Sequence, residues 1–553
     1  MSSESTKEYR SQFAQLKLDA TVVRQHWKEI QQYVYPTSGL YLTDDSEKNN
    51  GSKRHQKVIN GVAEQSLINL AAGMQGGMTS PSRPWFNLGI QNKQLMELTQ
   101  VRNWLWLVRE LMLSVFARSN FYGAVHSLYA EMCAYGTCCM LIEEDFDSII
   151  RCRPFTIGEY YLALDEKYQP TILYRQFSMT AYQMIKEFGE DKVSQAVKES
   201  MNTDRRENTF DVIHCIRPEK SKNKNQYESK YFEAKGDITS FLRESKYSNR
   251  PFLAARWDVI GSATYGRGQG MVALGDCKML QKLEEKKLKA IDKLVDPPMN
   301  APVSMKNKGG TIVAGGVNYI DVQQGQQGFS PVYQINPNIR DISVEIANVE
   351  QRIRKYFAND MFLSIATIDK TMTATEVAER INEKMLMLGA VVERTQTELL
   401  NVVIDRTFEI MLKMGLIPLP PKELQGADLK VEYISLLSQA QKLSNISAIQ
   451  QLAQYVGGVA AMNPSVLDKF DFDQSVDEFA EAVGIVPSIV RSDDVVNQLR
   501  VEKEKQQQLA TSKQNLMMAA EAANKAGSTP VNDANALGLM LKRLGYKVPE
   551  ANE

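Results

Sequence analysis

The chain has 553 residues, a formal net charge of -1, and hydrophobic and charged fractions of 43% and 24%, the proportions of a soluble globular protein with room for several domains. A charge so close to balance excludes a global field that drives the protein onto nucleic acid or acidic membrane, so any contact with DNA is local. The start, MSSESTKEYRSQF, lacks a basic-then-apolar leader, and no apolar run reaches the ~20 residues of a bilayer span, so a cytosolic protein is expected; six cysteines in so long a chain are no disulfide framework, and Cys133, Cys138, Cys139 and Cys152 read as buried free thiols.

Residues 5–34 read as a first helix through Trp27 and Ile30, ending before Pro36. A second apolar helix over Gln56 to Met74 runs into GGMTSPSRPWFNLGI, an ordered turn anchored by Trp85 and Phe86. Leu95 to Arg118 is apolar around much of its circumference and predicts a buried helix, followed by another that ends near Gly136. Short β-branched and aromatic runs then follow: TCCMLIEE, SIIRCRPF, EYYLALDE, PTILYRQF, TFDVIHCIRP, SKYFEA and PFLAARWDVI, with one helix, Ala181 to Ser200, among them. These predict a mixed α+β lobe within a mainly helical α+β protein.

From Gly270 the text is helical until Asp296, Pro297 and Pro298 halt it, and a Gly-, Gln- and Pro-rich insertion follows, with TIVAGG and VNYIDV as a hairpin. Helix resumes from Asn338 to Phe357, where Ile339, Ile342, Ile346, Val349, Ile353 and Tyr356 alternate three and four apart as a short heptad seam. Thr371 to Gly415 then reads as one long helix, capped by Thr373 with Glu376 and stopped by Gly415 and Pro418, on the order of 60 Å long. A compact monomer does not easily surround such a rod, so it reads as a spine in a large assembly. Shorter helices follow over Leu436 to Val456 and Ser475 to Val483, and Asp493 to Ala526 predicts an exposed polar helix before a loose tail.

Motifs for chemistry fail one after another. In GRGQGM, Met271 stands where the third glycine of a dinucleotide fingerprint belongs, and no βαβ text surrounds it, so a glycine turn before a helix is expected. No Gly-Lys pair exists for a phosphate loop, and His26, His55, His126 and His214 have no second ligand at helical spacing. His214 beside Cys215 would suit a hydrolase, but neighbours in a strand point to opposite faces. No catalytic residue, metal or cofactor is expected. Lys278, Lys282, Lys286, Lys289 and Lys293 share one face of the helix that starts at Gly270, while Arg352, Arg354, Lys355 and Lys370 lie on or near the second.

Several segments together resemble the portal proteins, or head-to-tail connectors, of short-tailed bacteriophages: GMTSPSRPWF, ARWDVIGSATYGRGQGMVALGDCKML, Pro297-Pro298, IRKYFANDMF, MTATEVAERINEKMLMLGAVVERTQTELL and PLPP, in that order. The resemblance spans about residues 10–430. It implies a ring of twelve copies at one capsid vertex, located in the virion and in the host cytoplasm during assembly. Partners would be the terminase large subunit during packaging, tail adaptor and nozzle proteins later, major capsid and scaffolding proteins around it, double-stranded DNA through it, and no membrane.

Carried onto this sequence, the resemblance implies a wing over 1–269, a first stem helix over 270–298, a clip over 299–335, a second stem helix over 336–357 and a tunnel loop over 358–372. A wing spine helix over 373–429, a crown over 430–490 and a C-terminal barrel helix with a flexible tail over 491–553 complete it. Lys370, Arg354 and Lys355 would then face the DNA channel, the seam from Ile339 to Tyr356 would join copies, and Lys306 and Lys308 on the clip would meet motor and tail. Lys282, Lys286 and Lys289 would face the capsid, because a lysine-lined pore would grip a duplex that must slide. The residues alone leave two other readings open, a non-viral cytosolic helical scaffold and a hydrolase built on His214 and Cys215.

Overall fold

The computed structural model describes residues 2–39, 41–42, 57–90, 98–203, 205–219, 226–235, 241–295, 299–300, 330–331, 338–359, 389–424, 429–433, 451–460, 469–483 and 493–527, with a few isolated positions besides. The chain forms two compact units, Met1–Asn445 and Ile446–Glu553.

In the first unit the expected opening helix is two, α1 (Ser2–Asp19) and α2 (Thr21–Tyr33), broken at the buried Ala20. The break has a packing cause: α1 sends Tyr9 and Phe13 into a small core with Tyr161, Tyr174 and Phe232, while Trp27 and Ile30 of α2 enter the main core. Helix α3 (Val62–Met78) begins later than expected and continues through Gly76 and the buried Gly77, so those glycines do not end it. Strand β1 (Phe86–Ile90) replaces part of the predicted turn, with Phe86, Leu88 and Ile90 buried.

Helices α4 (Thr99–Arg118) and α5 (Phe121–Tyr135) follow, α5 ending at Gly136 with φ of 82°. Strands β2 (Thr137–Asp145), β3 (Ile149–Phe155) and β9 (Phe252–Arg256) make an antiparallel sheet in the order β3-β2-β9. Strands β4 (Tyr160–Leu164), β5 (Pro170–Thr180), β6 (Thr209–Pro218), β7 (Tyr227–Glu233) and β8 (Arg243–Tyr247) form a second sheet in chain order. The single helix predicted over 181–200 is α6 (Ala181–Phe188) and α7 (Gln195–Asn202), parted at Gly189, whose φ of 88° no right-handed helix admits.

Helix α8 (Gln269–Val295) and helix α9 (Ile339–Tyr356) pack together. Between them, β10 (Met299–Asn300) pairs with β11 (Ser330–Pro331), bringing the ends of the insertion side by side. The predicted hairpin inside it, Lys306 and Lys308 lie outside the described residues, as do residues 361–388, which carry Lys370 and the Thr373 cap.

From 389 the expected spine is helical as α10 (Gly389–Thr395), a π turn (Gln396–Leu400) and α11 (Asn401–Lys413). It ends at Gly415, φ 69°, where Leu416 N donates to Met411 O and Gly415 N to Leu412 O, a Schellman close. Strand β12 (Leu429–Tyr433) then pairs antiparallel with β1, Phe86 opposite Tyr433, so the expected crown boundary at residue 430 falls inside a strand of the first unit. The second unit is helical over residues 451–460, Phe472–Val483 and Asp493–Gly527, and Val495, Val501, Leu509 and Met518 of the last helix are exposed.

Candidate channel and assembly surfaces

The glycine motif is where α8 begins. Gly136, Gly266, Gly268 and Gly270 meet backbone to backbone: a Cβ on Gly136 would strike Gly266 and Gly268, one on Gly268 would strike Gly136 and Cys133, and one on Gly270 would strike Ala134. GRGQGM is thus a close-packing turn that seats the start of α8 on the end of α5, with Gly266 N donating to Thr137 Oγ1 at 2.8 Å. Just upstream, Arg256 and Glu398 form a buried ion pair at 2.6 Å, with side chains 4% and 3% exposed. The π turn carries Glu398 to that spot, where it also accepts from Arg256 N at 2.9 Å, while Arg256 Nη2 donates to Tyr168 O at 2.9 Å.

The two long helices meet through apolar side chains of a single chain. Leu280 of α8 and Ile346, Val349 and Ile353 of α9 are buried in the main core, with Leu283 and Ile342 half-buried against it. Of the seam expected to join copies, Ile346, Val349 and Ile353 are buried within the single chain. Ile339 is half-buried and Tyr356 exposed. Asn60 bridges both helices, donating to Glu284 Oε1 at 3.0 Å and Glu350 Oε1 at 2.8 Å, while Gln281 accepts from Ile59 N and Asn60 N at 2.7 and 2.9 Å. Arg352 reaches across to Asp276 at 3.3 Å. Asn60 and Gln281 were missed in the sequence; a buried glutamine inside the apolar stripe of α8 was the available signal.

The charged positions separate. Lys278 is not a free member of the lysine stripe, since it pairs with Glu29 at 2.8 Å and lies 5.8 Å from the Tyr33 ring centroid. Lys282, Lys286 and Lys289 are exposed, and Lys289 pairs with Glu285 one turn back. Arg354 is held by Glu350 at 3.2 Å, and Lys355 is exposed. The outer face of α8 continues upward from the lysines as Met279, Gly275 and Val272, with Val272 and Met279 39% and 37% exposed.

No hydrolytic site forms around His214. It is fully buried, stacked on Tyr231 at 3.9 Å and hydrogen-bonded through Nε2 to Ser229 Oγ at 2.9 Å. Burial, then the nearby Arg175, Arg243 and Arg153, hold its pKa well below the usual value, so it is neutral. Cys215 faces the other side of the sheet among Tyr9, Tyr174 and Phe232, and burial pushes its thiol up to about 12, the wrong state for a nucleophile. All six cysteines are free and buried. Among the described residues no His, Cys, Asp or Glu cluster fits a metal ion, and no helix is long and apolar enough to cross a membrane.

The model of the family described as bacteriophage head to tail connecting protein matches residues 6–490. The chain is 38% identical over 535 residues to the "Probable portal protein" of Bordetella phage BPP-1, covering 95% of this chain and 96% of the relative. It is 38% identical over 544 residues to the "Portal protein" of Salmonella phage epsilon15, covering 97% of each. Among solved structures, a chain titled "Neck of empty GTA particle computed with C6 symmetry" overlays 70% of this chain and 86% of its own with a TM-score of 0.35 at 10% identity, a likeness too slight to carry an argument. The chain belongs to the bacteriophage head to tail connecting protein family, a structural family of portal proteins without catalytic activity.

Proposed function

We propose that copies of this chain close into a ring at one vertex of the viral head and form the channel through which double-stranded DNA enters during packaging and leaves during ejection. The observation that carries this reading is the near end-to-end kinship, 38% identity over 95% and 97% of the chain, with two phage portal proteins. The helix pair α8 and α9 would be the stem, and the insertion between β10 and β11 the clip, with Lys306 and Lys308 docking the terminase and later the tail proteins. Arg354, Lys355 and Lys370 would lie toward the channel, and the near-neutral total charge suits a conduit, because each phosphate neutralised adds a steep salt-dependent grip.

Since the seam of α9 is filled within one chain, contacts between copies fall to outer faces. The lysine face of α8 would be one of these, turned away from the duplex. Native mass measurement or negative-stain imaging of the purified protein tests the reading: closed rings are expected, and a stable monomer at assembly concentrations would overturn it.

A further inference from the structure

We propose that the β2–β3 tip of one copy docks on the outer face of α8 of its neighbour, with Phe146 entering the hollow at Gly275 and the tip acids facing Lys282 and Lys286. The proposal rests on the ring reading and names the contact that closes it. Phe146 is completely exposed, at 102% of its reference surface, an unusual place for a phenylalanine. The tip that carries it is fixed: Asp145 Oδ2 accepts from Ser148 N at 3.0 Å and from Ser148 Oγ at 2.7 Å, and Ile149 is held at φ 71°, a conformation that a β-branched residue rarely adopts.

Two acids flank it in sequence, while Arg151 and Arg153 lie further along the same hairpin. Asp147 is exposed and Asp145 half-buried, whereas Glu143 and Glu144 are already engaged by Arg153 and Arg406. The chain itself carries the complementary surface. Val272, Gly275 and Met279 follow at helical spacing on the outer face of α8, and a Cβ on Gly275 would meet nothing within 4 Å, so the glycine leaves a hollow between two half-exposed apolar side chains. Lys282 and Lys286 continue that face, both exposed. An apolar knob flanked by Asp145 and Asp147 thus matches an apolar hollow followed by bases.

The occupant is a second copy because both halves of the contact lie on this chain, the knob with Asp147 beside it and the hollow followed by Lys282 and Lys286. Knob and hollow are different surfaces, so the contact is heterologous, the kind that makes a ring when its rotation closes. Lys282 and Lys286 on this assignment serve the neighbour and not the capsid shell.

The test is ring formation by the full-length protein, read by native mass spectrometry, with circular dichroism confirming that each variant folds. Phe146→Ser is expected to raise the concentration needed for rings about tenfold or more, as loss of an aromatic anchor does. Asp147→Lys and Lys282→Asp are each expected to weaken assembly, and the two together to restore it. Folded Phe146→Ser protein that forms rings at the parent's concentration overturns the proposal, as does a charge swap that fails to rescue. Lysine variants that ring normally but fail to enter heads would return this face to the shell and overturn it too. If the parent itself forms no rings, the ring reading falls; if it does and the variants are indifferent, only this contact falls.

Discussion

Arg256 and Glu398 lie 142 positions apart in sequence and meet at 2.6 Å in the interior, tying the end of β9 to the π turn of the spine. Both charges are desolvated, and each has further partners, so the pair holds as long as neither member is lost. Glu398→Ala leaves a buried guanidinium without its counter-charge and is expected to cost about 3–5 kcal/mol. Urea unfolding of the parent and the variant measures it. A loss under about 1 kcal/mol, the worth of a surface ion pair, would mean that the site is wet.

The glycine turn makes a paired prediction. Gly268→Ala puts a methyl group against the backbone of Gly136 and Cys133, which cannot move aside, and is expected to cost at least about 1–3 kcal/mol. Gly123→Ala, on the exposed face of α5, meets open space and is expected to gain roughly 0.5–1 kcal/mol from helix propensity. Thermal melts of the two variants should move in opposite directions.

Much of this architecture is written in periodicity. The seven strand runs appear as β2 to β7 and β9, and the helices read from Gly270 to Asp296 and from Asn338 to Phe357 appear as α8 and α9 within about a residue of those bounds, because alternation and three-four spacing report a buried face. Periodicity does not say whose surface the face meets, so the seam of α9 read as a contact between copies although α8 fills it. Strand β8, RESKY, was invisible because it is a charged edge strand. The pairing of β1 with β12 needs a partner more than 300 residues away, and Glu398 was not singled out because its burial depends on a π turn that periodicity does not show.

Burial sets a pH dependence at Glu131. Its carboxylate accepts from Thr156 Oγ1 at 2.9 Å and Ile157 N at 3.2 Å, but desolvation outweighs these bonds and, with Glu159 nearby, raises its pKa to about 7 from the ordinary 4.5. The folded state therefore holds this proton more tightly than the unfolded chain. Its contribution is fully present below about pH 4.5 and is lost as pH rises through about 7, a change on the order of 3 kcal/mol. Glu131→Gln should flatten that part of the stability profile between pH 5 and 8. An unchanged slope would assign the dependence to other groups.

Buried and outer faces of α9 should respond differently to the same charge. Ile353→Asp places a carboxylate in the core against α8 and is expected to unfold the helix pair, at a cost of several kcal/mol. Val344→Asp lies on the exposed face and should leave the monomer's stability within about 0.5 kcal/mol. If Ile353→Asp instead yields a stable, fully folded monomer, the seam belongs between copies after all.

On the proposed function, the basic end of α9 would set how firmly a channel holds DNA. Arg354 is paired with Glu350, which leaves Lys355 as the more available cation of the two at the end of α9. In a ring, any charge freed in one copy is repeated around the lumen, and even ~6 to 10 phosphate contacts change affinity by about 10³ to 10⁵ over a modest salt step. Glu350→Gln would release Arg354 toward the duplex. Translocation by rings of that variant should slow at low salt and recover as salt is raised. Lys355→Ala should act the other way, leaving translocation fast while packaged genomes leak back and heads hold shorter DNA. These opposite signs are the discriminating feature: loss of a merely structural contact would lower ring yield in both variants and leave the salt dependence of translocation unchanged. Packaging assays at two ionic strengths, with genome length read from purified heads, decide between the two outcomes.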